Sequence, residues 1–266
     1  MKASVDKASI AGLLLGLIGI IGGLMLEGGK LSQILQPTAA MIVFGGTAGA
    51  VLLQFPLPVV TGAVRNLARV FIDRGEDVEV GIKLLVHLAN RARREGIVRL
   101  DSELDQISDP FLRKALMLAV DGTEPQELRS IMELELDNHS ERGEQMHGVF
   151  ESAGGFSPTV GIIGAVLGLI QVMQHLDKID EVGRGIAVAF VATIYGVAAA
   201  NLVFLPAGGK LRIRLREEEV HREMMLEGVI SILEGMNPRM LETKLRSFAS
   251  ENHAHVPQAK AAGAGA

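Results

Sequence analysis

The stretch Pro158-Thr-Val-Gly161-Ile-Ile-Gly164-Ala165-Val-Leu-Gly168-Leu-Ile-Gln-Val-Met173 decides how this chain folds. It carries no charge, and small residues recur at spacings of three and four, which places them on one stripe of a helix. In water each of these glycines would weaken the helix. In lipid, small residues let two helix backbones approach closely. The stretch therefore predicts a membrane-spanning helix with one face for another helix.

The composition indicates a membrane protein that also has a substantial polar part. Of 266 residues, 48% are hydrophobic and 21% are charged, and the two kinds are segregated along the chain. The chain has no cysteine, which excludes disulfides and thiolate metal sites. The net charge of −5 argues against nucleic acid as a partner.

Four segments have the length and apolarity of membrane spans, for which a helix needs about 20 residues. They cover residues 10–26, 34–55, 154–173 and 185–205. Apolar residues at helical spacing between the second and third spans predict a helical domain over 56–150. A further helical segment is predicted over 207–250, followed by a disordered tail at 251–266. The predicted fold is an all-α integral membrane protein, with spans in 1–55 and 151–206.

Positively charged residues indicate how the spans are oriented. They precede the first span, follow the second and follow the fourth, at Lys2, Lys7, Arg65, Arg69, Arg74, Lys210, Arg212, Arg214 and Arg216. By the positive-inside rule, both termini and the 56–150 domain are predicted to be cytoplasmic.

None of the four spans has an Asp, Glu, Lys, Arg or His in its interior. An ion pump needs such a group within the membrane. The chain therefore moves no ions, or another chain supplies the carboxylate. No nucleotide-binding loop, nucleophile elbow or His-Glu-x-x-His pattern is present, so the chain is predicted not to be an enzyme.

A few polar residues and prolines inside the spans have two interpretations each. The hydroxyl of Thr159 or Thr193 bonds its own helix, or it lines a wet path. Pro158 and Pro206 mark span ends, or they are hinges that pass membrane motion to the polar helices.

Charged residues in the middle domain are also ambiguous. Arg93, Arg94, Asp101 and Glu103 form a solvated face or a docking surface for a charged partner.

Two motifs resemble signatures of the MotA/PomA flagellar stator family. Residues 157–169, reading Ser-Pro-Thr-Val-Gly-Ile-Ile-Gly-Ala-Val-Leu-Gly-Leu, resemble the family's third span. Residues 185–196, reading Gly-Ile-Ala-Val-Ala-Phe-Val-Ala-Thr-Ile-Tyr-Gly, resemble its fourth span, with Asn201 and Pro206 following. The likeness extends to about Ser247 and is closer to the PomA-like branch.

This resemblance implies a machine of several chains in the bacterial inner membrane. It implies a homopentamer around two copies of a MotB/PomB-type partner. That partner has one membrane span bearing an ion-carrying Asp and a domain that grips peptidoglycan. Ion passage turns the pentamer and pushes on the rotor protein FliG. The glycine stripe is then expected to face the partner helices.

The resemblance also implies roles for individual residues. Pro158 and Pro206 match two functional prolines. Arg93, Arg94, Asp101 and Glu103 fall where the family has rotor-facing charges. The ion-path or partner-facing set is Thr159, Gly161, Gly164, Ala165, Gly168, Thr193 and Tyr195.

Ala165 bears on the coupling ion. Sodium-driven members commonly have threonine there, and alanine removes an oxygen that could coordinate sodium. The sequence thus favours protons over sodium, with no other cofactor. The alternatives are an ExbB/TolQ-like energising subunit of an outer-membrane system, against which the two spans before residue 56 count, and a non-conducting membrane scaffold.

Overall fold

The chain is helical almost throughout the residues that the computed structural model describes, 4–73 and 78–254. The helices are α1 (Lys7–Leu26), α2 (Pro37–Gln54), α3 (Leu57–Asn66), α4 (Ala68–Phe71), α5 (Val78–Glu95), α6 (Pro110–Val120), α7 (Pro125–Gln174), α8 (Ile179–Ala198), α9 (Leu205–Leu233) and α10 (Pro238–Ala254). Two-residue strands, β1 (Ser4–Val5) and β2 (Ile72–Asp73), pair antiparallel. The predicted all-α membrane fold is confirmed.

Three non-α segments complete this order. Leu31–Gln33 and Ile97–Gln106 are 3₁₀ helices, and the π-helical segment Ala199–Phe204 joins α8 to α9. A π segment has wider turns than an α-helix and is frequent at functional sites.

Within the described residues, four helices are long and apolar enough to cross a membrane: α1, α2, α7, and α8 together with its continuation into α9. The helix that contains the first predicted span begins at Lys7, because the Asp6 carboxylate accepts hydrogen bonds from the N–H groups of Ala8 and Ser9. The second begins at Pro37, where proline suits the first helical turn. Residues 34–36, predicted to belong to the second span, are therefore outside its helix.

The third span is not a separate helix. It forms the second part of α7, which runs for 50 residues and contains Pro158 in its interior. The fourth predicted span similarly covers part of α8, the π segment and Leu205. Both membrane-spanning helices therefore continue directly into polar helical segments.

The chain divides into two compact units. The membrane unit comprises Met1–Arg74 and Arg142–Arg214, and the second unit comprises Gly75–Glu141 and Leu215–Ala266. The core of the second unit is built by α5, α6, α10, the beginning of α7 and the end of α9, around Leu85, Leu88, Phe111, Met224 and Leu241. The buried residues of a single helix recur at helical spacing, as Ile82, Leu85 and Ala89 do on α5, which is expected for amphipathic helices around one core.

The tail differs from its prediction at its start. Disorder was predicted from Glu251, but α10 continues through Ala254. Residues 255–266 of that tail, together with Lys2 and Arg74, lie outside the described residues.

One buried histidine gives the second unit a pH dependence. His221 on α9 is buried, and its ring lies so close to α5 that a Cβ at Gly81 would be 3.1 Å from the Cε1 atom. Burial lowers the pKa of His221, while the Asp109 carboxylate opposes that change. The pKa of His221 is therefore lower in the folded unit than in the unfolded chain.

We expect mild acid to destabilise the second unit through His221. As the pH falls through the ordinary histidine pKa of about 6.5, the unfolded chain takes up a proton that the folded chain does not, so the free energy of unfolding decreases. His221→Gln is expected to lose less stability on acidification than the wild type. Thermal unfolding midpoints at neutral and mildly acidic pH measure this.

The matched control is His87→Gln, because the His87 side chain is 63% exposed. An acid-induced drop in midpoint that is the same in the wild type and His221→Gln would contradict the prediction.

Candidate functional site

The third span packs on the fourth through glycines whose backbones lie almost in contact. A Cβ at Gly161 would be 2.9 Å from the Ala192 carbonyl oxygen, and one at Gly168 would be 2.7 Å from that of Gly185. At Gly164 a Cβ would be 2.7 Å from the Cβ of Ala192. Real Cβ atoms do not tolerate such distances, so these positions require glycine.

This packing corrects the expectation that the glycine stripe faces a partner helix. Gly161, Gly164 and Gly168 are buried within this chain, against α8. The sequence held a signal for this, because α8 carries its own small-residue stripe at Gly185, Ala189, Ala192 and Gly196. Two such stripes on consecutive spans can pack on each other, as small-residue interfaces do in lipid.

The other predicted ion-path residues of the third span lie outside this interface. Thr159 is exposed and Ala165 is half-buried. Large apolar side chains surround them on the exposed side of the helix, namely Ile162, Ile163, Val166, Leu167, Leu169 and Ile170. The surface that the third span leaves uncovered is therefore bulky and mostly apolar, with the polar side chains of Thr159 and Gln171 near its two ends.

The hydroxyls of the spans mostly bond their own helices. Thr159 donates to the Phe156 carbonyl at 2.7 Å, and Thr193 donates to the Ala189 carbonyl at 3.2 Å. Thr47 on α2 is buried, and its hydroxyl has no partner among the described residues. Of the two interpretations for Thr159 and Thr193, the geometry favours the local hydrogen bond.

The Tyr195 side chain binds the backbone just before α2. Its hydroxyl donates to the Ile34 carbonyl and accepts from the Gln36 N–H at 3.3 Å, and its ring stacks on Phe44 with centroids 6.0 Å apart. It therefore fixes the extended segment that precedes α2. Sequence reasoning missed this role, although Tyr195 is the only tyrosine and a buried phenol needs a hydrogen-bond partner.

The two helical segments that contain the candidate hinge prolines pack against each other. Pro158 lacks an N–H, so the Gly154 carbonyl loses its normal helical partner. A Cβ at Gly196 on α8 would be 3.2 Å from the Pro158 Cα, and one at Gly154 would be 2.5 Å from the side chain of Leu205.

The fourth span has a second irregularity next to Pro206. The π-helical segment ends there, with the Leu205 N–H donating to the Ala200 carbonyl. Helices bend sharply at prolines and at π segments. Pro206 and the π-helical segment together interrupt the regular α-helical hydrogen bonding where α8 joins α9.

The predicted rotor-facing charges separate into two groups. Arg93, Arg94 and Asp101 are exposed. Glu103 is buried and forms an ion pair with Arg91, with the His87 ring nitrogen 3.7 Å away. The structure thus corrects the expectation for Glu103: its carboxylate fixes the 3₁₀ segment to α5 and is not presented outward.

Glu103 is buried and Asp101 exposed because residues Ile97–Gln106 form a 3₁₀ helix. With three residues per turn, Leu100 and Glu103 lie on the same face, which turns toward the core of the second unit. In an α-helix residues three apart also lie on the same side, but in a 3₁₀ helix they are eclipsed and point in the same direction. The described residues contain no cluster of histidine or carboxylate side chains that could hold a metal ion.

Comparison with known proteins extends over nearly all of this architecture. Residues 103–224 match the model of the MotA/TolQ/ExbB proton channel family, and residues 10–96 match that of the motility protein A N-terminal region. Motility protein A of Bacillus subtilis (strain 168) is 35% identical over 92% of this chain and 91% of its own length. Chemotaxis protein PomA of Vibrio alginolyticus is 30% identical over 93% and 96%.

Two solved structures superpose on more than nine tenths of the chain. The MotAB structure from C. jejuni matches with a TM-score of 0.85 at 31% identity and covers 91% of this chain and 95% of that chain. The flagellar MotAB stator complex from Bacillus subtilis matches with a TM-score of 0.84 at 34% identity and covers 95% and 100%. The chain belongs to the MotA/TolQ/ExbB proton channel family, among its motility protein A members.

Proposed function

We propose that this chain is the stator subunit of a bacterial flagellar motor, which forms an ion channel with a MotB/PomB-type partner and converts ion flow into torque on the rotor. The observation that carries this proposal is the superposition on two MotAB structures over 91% and 95% of the chain. Both spans that precede the second unit, α1 and α2, are present. They favour the motility function over an ExbB/TolQ-like subunit, which typically has one span there.

The partner supplies the group that binds the ion. The four spans lack Asp, Glu, Lys, Arg and His in their interiors, and an ion crossing a membrane needs a carboxylate or similar group to bind it. Five copies of this chain surround two partner helices, and an Asp on each partner helix carries the ion. The partner's peptidoglycan-binding domain keeps it stationary while the pentamer turns.

The chain lies in the inner membrane with both termini and the second unit in the cytoplasm. Basic residues support this orientation: Lys7 is the first residue of α1, Arg65 and Arg69 follow α2, and Lys210 and Arg212 follow the fourth span. This places Arg93, Arg94 and Asp101 on the side of the rotor protein FliG.

The coupling ion is the proton. Ala165 offers a methyl group where a hydroxyl oxygen could have coordinated a cation. A dehydrated sodium ion would need several oxygen ligands in place of its lost waters. A carboxylate on the partner needs no such shell to accept a proton.

Proton coupling predicts how the motor responds to its medium. Rotation driven by this chain and its partner is expected to continue when sodium is replaced by potassium, and to stop when a protonophore collapses the proton gradient. Tethered-cell rotation speed measures both responses. Loss of rotation in the sodium-free medium would contradict proton coupling.

The hinge proposal predicts separate effects on assembly and rotation. Pro158→Leu and Pro206→Leu each restore a backbone N–H at an irregular position, which stiffens the helix. We expect both variants to assemble with the partner while rotation speed falls to near zero. Co-purification with the partner measures assembly, and tethered cells measure rotation.

Pro238→Leu is the control for this experiment, because Pro238 begins α10 in the second unit. Normal swimming by either span variant would refute a hinge at that proline.

The rotor contact predicts charge compensation. Arg93→Glu together with Arg94→Glu reverses two exposed charges without touching the Arg91–Glu103 pair. Torque is expected to fall, and reversal of facing acidic residues on FliG to lysine is expected to restore it, since complementary charges fix the register of a contact. Stall torque in a bead assay measures the effect.

Lys83→Glu provides the control, because Lys83 lies on the same helix and its side chain is 73% exposed. Unchanged torque in the double-reversed variant would make Arg93 and Arg94 ordinary surface residues.

A further inference from the structure

Asp6 joins three parts of the membrane unit through one residue. Its Oδ1 atom accepts from the N–H groups of Ala8 at 3.0 Å and Ser9 at 3.1 Å, which caps α1. Its Oδ2 atom lies 2.6 Å from Lys210 Nζ and 3.3 Å from a guanidinium nitrogen of Arg214, both on α9. Its backbone N–H donates to the Phe71 carbonyl, next to the β1–β2 pair.

The Asp6 carboxylate is charged and well shielded. Its side chain is 9% exposed. The hydrogen bond from Lys210, followed by that from the Ser9 N–H, lowers the pKa of Asp6 to about 2. The carboxylate is therefore ionised at any pH that the cytoplasm reaches.

The two basic partners occupy a particular face of α9. Lys210 and Arg214 follow Pro206 at intervals of four residues, so the three positions share one stripe of the helix. Asp6 thus grips α9 one and two turns after the proline, on the same face. A bend of α9 at Pro206 changes the separation between that face and the start of α1.

We propose that Asp6 is a positioning residue that fastens α9, just beyond the Pro206 hinge, to the beginning of α1. The inference rests on the proposed function, because it assigns Asp6 to the step between ion passage and torque. While Asp6 binds Lys210 and Arg214, α9 and α1 move together when α9 bends at Pro206. Without these ionic contacts, α9 bends without moving α1, and part of the motion is lost.

Asp6→Asn separates the two roles of this residue. Asparagine is as good a helix N-cap as aspartate, so α1 keeps its cap, but the charge that holds Lys210 and Arg214 is gone. We expect partner assembly and proton conductance at wild-type levels, with stall torque per stator reduced about twofold or more, as for changes that alter a hinge. Bead-assay torque steps and proton flux into vesicles measure the two quantities.

A double-mutant cycle tests whether the loss runs through the ion pair. Lys210→Met breaks the shortest contact and leaves the α1 cap intact, so it also carries the test if Asp6→Asn fails to assemble. Each single variant is expected to lose torque, and the double variant is expected to lose little more, because both remove the same interaction. Arg212→Gln is the control, because that side chain is 67% exposed and does not contact Asp6.

Three results overturn the inference. These are wild-type torque in both Asp6→Asn and Lys210→Met, a fall in conductance that parallels the fall in torque, or additive losses in the double variant. Failure of the wild-type complex to conduct protons or to turn a bead would instead refute the proposed function.

Discussion

The membrane unit depends on close contact between the backbones of the third and fourth spans. In lipid, no hydrophobic force holds helices together. Lipid tails are as apolar as leucine, so helix association in a membrane comes from van der Waals packing and hydrogen bonds. Gly161 and Gly168 meet the carbonyl oxygens of Ala192 and Gly185 at distances that leave no space for a methyl group. The contact is possible because both helices have small residues at matching positions along the interface.

That contact determines what surface remains for a partner. Because the glycines are used within the chain, the side of the third span that this chain leaves uncovered is the opposite one, where Ile163, Val166 and Ile170 are exposed. Such a surface is apolar and nearly free of hydrogen-bonding groups, since Thr159 bonds its own helix. Under the proposed function, a partner helix on this surface would meet few directional contacts, which suits rotation of this chain around the partner.

Hydropathy and spacing predicted the positions of the helices well, because burial in lipid or in a core imposes a repeating pattern on the sequence. They did not predict which helix each face meets. The glycine stripe of the third span marked a packing face, but a stripe carries no information about whether its partner is α8 or another chain. Glu103 was placed outward because a mixed-charge segment is usually solvated, whereas the 3₁₀ turn directs it to Arg91. The resemblance assigns Tyr195 to the ion path, and its long-range bond to the Ile34 carbonyl has no signature in the local sequence that could have corrected this.

The polar interactions of the membrane unit are placed where the apolar packing ends, and this placement is what a hinge requires. Inside the spans, irregular backbone at Pro158 and in the Ala199–Phe204 segment allows bending but supplies no direction. Direction has to come from fixed points on either side. On one side, α8 is held against the third span by small-residue contact at Gly196. On the other, Asp6 holds α9 through Lys210 and Arg214. A helix that is held on both sides of a bend is restricted to one direction of motion. A helix that is held at one end only can bend in many directions.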